Sequence, residues 1–85
     1  LSDAITDVEE DEISIYPNPV VEILNLKAGS QTVKRIDIMD MSGHKVLSTT
    51  GKTSINVSEL PSGIYIVGIT TNKGIVYRKV VKVAK

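Results

Sequence analysis

The chain has 85 residues and a mass of 9.2 kDa, enough for one small domain and too little for two hydrophobic cores. Hydrophobic residues make up 41% and charged residues 24%, a balance typical of a globular chain rather than a disordered one. The absence of cysteine excludes a disulfide scaffold, a thiolate zinc site and a cysteine nucleophile. No apolar run approaches the roughly 20 residues of a membrane-spanning helix, so we expect no direct membrane insertion.

The zero net charge conceals two parts of opposite character. Residues 1–12 hold six acidic residues and no basic one, whereas residues 13–85 hold four acidic and ten basic residues, a balance of +6. Leu1, Ile5 and Val8 recur at helical spacing, but three apolar residues bury too little surface to hold an isolated helix. We therefore predict that residues 1–12 form an acidic flexible linker and that residues 13–85 form the folded domain.

The composition favours β-strands. Isoleucine and valine each supply eleven residues, and these β-branched side chains suit a pleated surface. From Ile13 onward, short apolar runs alternate with turn residues, which is typical of an antiparallel all-β domain. Seven strands in so short a chain favour an immunoglobulin-like β-sandwich. The predicted strands span residues 13–16, 20–26, 33–41, 45–50, 53–57, 63–71 and 75–83.

Details of the pattern predict the environment of single residues. Ile36 and Ile38 alternate with polar neighbours, which indicates a strand that is buried on one face. Ser42-Gly43 indicates a two-residue hairpin turn in which Gly43 supplies a positive φ. The run 63–71 is apolar on both faces, which predicts a central strand. The remaining side chains predicted to point inward are Leu24, Leu26, Ile55, Val57 and Leu60.

Residue types that carry catalysis or bind metals are scarce. His44 is the only imidazole, and without a second histidine or a cysteine we interpret it as a solvent-facing turn residue. Asp37 and Asp40 are predicted on opposite strand faces, whereas paired-carboxylate catalysis needs two groups that converge on one bond. The acidic linker lacks the spacing of a calcium-binding loop. We expect no enzyme activity, no metal and no cofactor.

The basic C-terminal segment supports two interpretations. Arg78, Lys79, Lys82 and Lys85 lie within eight residues, with valines between them. Nucleic-acid binding would call for stacking aromatics, and only Tyr77 is near, so we expect no nucleic-acid partner. The segment is then either an edge strand protected by lysines from pairing, or a docking edge that adds to a receptor's sheet. An exposed edge would also allow weak self-association.

Four motifs follow one another along the chain. They are Tyr16-Pro17-Asn18-Pro19, Asp40-Met41-Ser42-Gly43-His44-Lys45-Val46, Gly63-Ile64-Tyr65 and the lysine-bearing end Arg78-Lys79-Val80-Val81-Lys82-Val83. Each alone is a weak signal, but their order over residues 13–85 resembles the type A C-terminal sorting domain of the type IX secretion system of Bacteroidota. An acidic linker just before the first motif also fits that family.

The resemblance implies that the domain is a sorting signal for export rather than a catalyst. In that family the domain ends a cargo protein that has entered the periplasm, and it is recognised by the outer-membrane translocon and a shuttle protein. A sortase-like cysteine protease at the cell surface then cuts in the linker, here in or before residues 1–12. The cargo is held on the surface or released outside the cell, and the sorting domain is removed.

The resemblance also marks residues, some of which have a structural task. Pro17 and Pro19 end the first strand, and Gly63 lets the chain turn into the central strand. The ring of Tyr65 is expected to fill the core, and its hydroxyl needs a partner. The motif residues expected to matter for recognition are Tyr16, Pro17, Asn18, Pro19, Asp40, Gly43, Gly63 and Tyr65. Direct contact with the translocon is expected from Lys79, Val81, Lys82, Val83, Ala84 and Lys85, where Ala84 departs from the larger apolar or charged residue frequent in the family.

Two other functions are compatible with a small sandwich. An accessory adhesion or carbohydrate-binding module usually displays exposed aromatics or a calcium site. The chain has three tyrosines, which are few for an aromatic binding surface. A structural spacer between catalytic units would give the last residues no particular role.

Overall fold

Seven β-strands make up the regular structure of residues 13–84, the part of the chain that the computed structural model describes. The strands are β1 (Ser14–Tyr16), β2 (Ile23–Lys27), β3 (Val33–Met39), β4 (Lys45–Thr50), β5 (Ser54–Asn56), β6 (Gly63–Thr71) and β7 (Gly74–Lys82). They form a three-stranded sheet in the order β1-β2-β5 and a four-stranded sheet in the order β4-β3-β6-β7, and every strand pair is antiparallel. The predicted seven-stranded β-sandwich is confirmed. Among residues 13–84 no helix is long and apolar enough to span a membrane.

The two sheets share one core. Side chains alternate between the faces of a strand, so each sheet contributes one inward row. Leu24 and Leu26 of β2 and Ile36 and Ile38 of β3 are buried, as their alternation predicts. Burying one such side chain contributes roughly 1.5–3 kcal/mol, so these rows decide which face of each strand turns inward. The other buried apolar residues of the core are Ile13, Val20, Ile55, Val57, Tyr65, Val67, Ile69 and Val80.

The fourth strand lies in the larger sheet. In the constant-type immunoglobulin arrangement the fourth strand pairs within the sheet of the first two strands. Here β4 pairs with β3, for example through Asp37 and Ser48. Because the two strands are joined by a short hairpin, β4 has no length of chain with which to cross the roughly 10 Å to the other sheet.

The hairpin between β3 and β4 differs from its prediction. The Asp40 N–H donates to the His44 carbonyl (2.9 Å) and the Gly43 N–H donates to the Asp40 carbonyl (3.0 Å). The loop therefore contains three residues, Met41, Ser42 and Gly43, and the predicted two-residue turn is wrong. The positive φ of Gly43 is confirmed at 94°, because a three-residue loop ends in the left-handed region that glycine tolerates.

Strand ends account for the other differences. β2 begins at Ile23 rather than at residue 20, because Val20 pairs with the end of β7. β3 ends at Met39, where the hairpin loop begins, and Leu60 is half-buried against the core rather than fully buried. β6 lies between β3 and β7, so the prediction of a central strand is confirmed.

Tyr65 links the segment between β5 and β6 to the core through its ring and its hydroxyl group. Its ring is buried, and its Oη donates a hydrogen bond to the Pro61 carbonyl at 2.7 Å. Both sequence-based expectations for this residue are confirmed. A tyrosine near the start of the sixth strand whose hydroxyl bonds the backbone a few residues upstream is the tyrosine corner of immunoglobulin-like sandwiches. Gly63 is the first residue of β6 and pairs with Lys82.

Removing this hydroxyl tests the corner. Tyr65→Phe is expected to lower the free energy of unfolding by about 1 kcal/mol, because the part-buried hydrogen bond to the Pro61 carbonyl is lost. Urea denaturation of the purified domain measures the change. Tyr77→Phe is the control, since Tyr77 is 58% exposed and its hydroxyl lies outside the core. Equal stability of the two variants would contradict a stabilising corner.

Candidate recognition site at the C-terminal strand

The loop that carries both prolines lies along the outer edge of β7. The side chain of Asn18 bridges two backbone groups there: Oδ1 accepts from the Val81 N–H (3.0 Å) and Nδ2 donates to the Lys79 carbonyl (3.4 Å). The Val20 N–H donates to the Val81 carbonyl (2.8 Å), and the Val20 carbonyl accepts from the Val83 N–H (2.9 Å). Two segments more than 60 residues apart therefore form one unit.

The sequence of the loop explains this arrangement. Pro17 and Pro19 have no N–H and a restricted φ, so the chain cannot continue β1 as a paired strand. The peptide bonds before both prolines are cis. Asn18 stands between them with a side chain that can both donate and accept, and Val20 is the first residue after them with a backbone N–H. The loop thus replaces a further strand at this edge.

The pairing favours the first of the two interpretations of the C-terminal segment, an edge strand that is kept from pairing with another chain. From the Lys79 carbonyl to the Val83 N–H, just after β7, the outward-facing backbone groups are bonded to Asn18 and Val20. A receptor strand could add there only by displacing this loop. The segment is an edge strand that the chain itself covers.

The terminal residues differ in their exposure. Lys79 and Ala84 are exposed, while Val81 and Val83 are half-buried. Lys82 is only 5% exposed, and its Nζ donates to the Val83 carbonyl at 3.3 Å. Lysines near a chain end suggest solvent contact, but strand alternation puts Lys82 on the same face as the buried Val80. Lys85 lies outside the described residues.

A cleft of about 260 Å³ opens at this end of the sandwich. Three segments meet in it: the residues after the proline loop, the turn that holds the Tyr65 hydroxyl, and the end of β7. The lining residues are Val21, Glu22, Ser58, Leu60, Pro61, Ser62, Lys82 and Ala84. Among these lining residues Lys82 alone belongs to one of the four sequence motifs, so the motifs did not predict the cleft.

Asp40 and Gly43 shape the β3–β4 hairpin. Asp40 Oδ1 accepts from the Ser42 Oγ (2.7 Å), the Ser42 N–H (3.0 Å) and the His44 N–H (2.9 Å). These hydrogen bonds hold the pKa of Asp40 below its usual value of 3.8, and the bond from the Ser42 hydroxyl has the largest effect. The hairpin lies at the same end of the sheet as Lys79, but two strands away from β7. The structure therefore does not join it to the loop of Asn18.

His44 has the role predicted for it. Its side chain is 84% exposed, and its Nδ1 lies 3.1 Å from the Ser42 Oγ. Within residues 13–84 no group of three or more histidine, cysteine or acidic residues is placed to hold a metal ion.

One sequence comparison decides the family. Residues 14–83 match the family described as the secretion system C-terminal sorting domain, which covers well over half of the chain. The chain belongs to this family of type IX secretion sorting domains. The resemblance drawn from the four motifs is confirmed, and no curated protein matches the chain. Membership indicates that the sorting domain serves as a C-terminal signal for type IX secretion.

Val20 is a site residue of the sorting domain that the motifs did not predict. It is 1% exposed and carries two of the backbone hydrogen bonds to β7. Its only signal in the sequence is an apolar residue directly after Pro19, which is equally consistent with an ordinary strand start.

Substitution of Asn18 tests the closure of the β7 edge. Asn18→Ala is expected to lower the free energy of unfolding by about 1 kcal/mol and to speed hydrogen exchange of the Val81 amide, which loses its acceptor. Asn18→Asp keeps that acceptor and should retain the protection of Val81. Asn25→Ala, on the opposite sheet, is the control. Unchanged Val81 exchange in Asn18→Ala would refute the bond.

The lowered pKa of Asp40 gives a pH test of the hairpin. A carboxyl whose pKa is lower in the folded state contributes stability above its unfolded pKa, and that contribution is lost as the pH falls through the folded value, below 3.8. The urea midpoint of the wild type should therefore fall more steeply between about pH 5 and about pH 2 than that of Asp40→Asn. Ser42→Ala, which removes the largest contribution, should lie between them. Parallel pH profiles would contradict the assignment.

Proposed function

We propose that residues 13–85 direct a cargo protein, fused in front of them, from the periplasm through the outer-membrane translocon to the cell surface. A shuttle protein of the outer membrane recognises the domain on the way. Family membership supports the class of function, and the covered edge of β7 is the observation that carries the mechanism. Because the first and last motifs bond each other, the recognised surface exists only in the folded domain.

The exposed end of the domain offers the contacts. Lys79 begins the covered segment and Ala84 follows it, both side chains are exposed, and we extend the contact surface to Lys85. Val81 and Val83 are half-buried beside them. Lys82 is buried, so its proposed role is to hold the end of β7 in place rather than to meet a receptor. Asn18 has the same positioning role from the other side.

The remaining motif residues act through shape in this proposal. Pro17 and Pro19 turn the chain towards β7, while Asp40 and Gly43 close the hairpin. Tyr16 is 49% exposed beside the loop, so it remains accessible to a partner. Gly63 and Tyr65 set the course of the chain into β6.

Cleavage is assigned to the acidic linker. Ile13 is 3% exposed, so the core begins there and a cut after that point would break the fold. Residues 1–12 hold six acidic side chains, a composition that favours solvent over a packed core. A sortase-like cysteine protease at the cell surface, which must accept an extended backbone, is proposed to cut in or just before this segment.

A fusion protein tests the proposal. An inert periplasmic reporter with an N-terminal export signal is joined to residues 1–85 and expressed in a Bacteroidota host with and without a working type IX system. The reporter is expected on the surface only where the system works, and shorter by up to the 9.2 kDa of this chain. Blotting of cell fractions locates and sizes it.

Truncation separates recognition from folding. Val83 makes the last backbone bond to Val20, so removal of Ala84 and Lys85 leaves that pairing intact. This truncated fusion is expected to stay in the periplasm while it remains folded. If the full-length fusion stays in the periplasm of both strains, the sorting function is refuted and an adhesion, carbohydrate-binding or spacer module remains.

A further inference from the structure

The outer faces of the two sheets differ in polarity. On the three-stranded sheet the outward residues are mostly polar: Ser14, Asn25, Lys27, Ser54 and Asn56, with Tyr16 and Ile23 as exceptions. On the four-stranded sheet β6 and β7 turn apolar side chains outward. We define the outer-face patch as Met39, Ile64, Ile66, Ile75, Tyr77 and Val81.

The patch is continuous across three strands. Met39 lies opposite Ile66, and Ile64 lies opposite Val81. Ile75 and Tyr77 are 57% and 58% exposed, and Ile64 is 44% exposed. Neither the sandwich core nor the loop at β7 accounts for this surface, and contiguous apolar patches of this kind mark interaction sites.

Gly68 keeps the centre of the patch flat. It lies on β6 opposite Tyr77, and a Cβ atom there would stand 3.2 Å from Tyr77 Cε1 and 3.6 Å from Met39 Cε. The tyrosine ring and the methionine methyl group therefore rest over the backbone of β6. A flat aromatic surface with a polar tip is the kind of residue enriched at protein interfaces.

The charged side chains on the same face are mostly positive. Its carboxylate, Asp37, is only 17% exposed and is bonded to Arg35 Nε (2.9 Å), Lys45 Nζ (3.5 Å) and Ser48 Oγ (2.8 Å). Lys79 is exposed on the same face, opposite Ile66. The face thus combines an apolar centre with three cations and one carboxylate that is already bonded.

We propose that the outer-face patch is a docking surface for a partner protein whose own surface has an apolar centre and a rim of carboxylates. A second copy of the chain fits poorly, because a two-fold contact would set the cations of one copy against those of the other. The inference rests on the proposed export function and names the face that a component of the export route would cover.

Matched substitutions on the two sheets test the surface in the reporter fusion. Ile64→Ser and Tyr77→Ser remove apolar area from the patch, and Ile23→Ser, at 42% exposure on the opposite sheet, is the control. Lys79→Glu reverses a rim charge, and Lys27→Glu reverses a lysine of the opposite sheet. The three patch variants are expected to reduce surface reporter about tenfold or more, and the two controls should match the wild type. Thermal unfolding of each purified domain verifies folding.

The outcomes are distinguishable. If wild type and patch variants are exported equally, the docking surface is refuted while the export function stands. If the wild type itself is not exported, both fail. Export of Lys79→Glu at the wild-type level, with loss in Ile64→Ser, overturns the acidic partner. If sedimentation finds that the purified domain is a dimer and that Ile64→Ser is a monomer, the proposed acidic partner is refuted, and the patch binds a second copy of the chain.

Discussion

The pairing of the proline loop with the outer edge of β7 is the contact that joins the two ends of the fold. It uses the Asn18 side chain and the Val20 backbone to satisfy donors and acceptors that would otherwise be open to another chain. The last part of the β7 edge is thereby covered without a further strand. One half of the contact lies near the start of the fold and the other at its end, so the contact requires both ends of the sandwich to be in place.

This closure separates two kinds of residue in the C-terminal strand. Lys82 and Val80 face inward and hold the strand against the core, whereas Lys79 faces outward. In the proposed function, this strand is therefore recognised as part of a folded surface rather than as a linear peptide. The apolar outer face of β6 and β7 lies beside Lys79, so the end of the strand and the patch form one side of the molecule.

Much of the fold could be predicted because buried and exposed side chains alternate along a β-strand, which gives the sequence an apolar period of two residues. Ile36, Ile38, Leu24 and Leu26 were predicted inward from alternation alone, and they are buried. The hairpin was harder, since Ser42-Gly43 is compatible with loops of two or three residues. The difference depends on the bond between Asp40 and His44, which a local pattern does not specify.

The sequence by itself determined the number of strands, the inward faces of β2, β3 and β5, the positive φ of Gly43 and, through the order of four motifs, the family. Only the tertiary structure decided that Asn18 and Val20 bond β7, that Lys82 is buried and that the apolar outer face of β6 is exposed to solvent. Those three facts depend on which strands become neighbours. Neighbours far apart in the chain are selected by the packing of the whole sandwich, and no local period or turn residue records that choice.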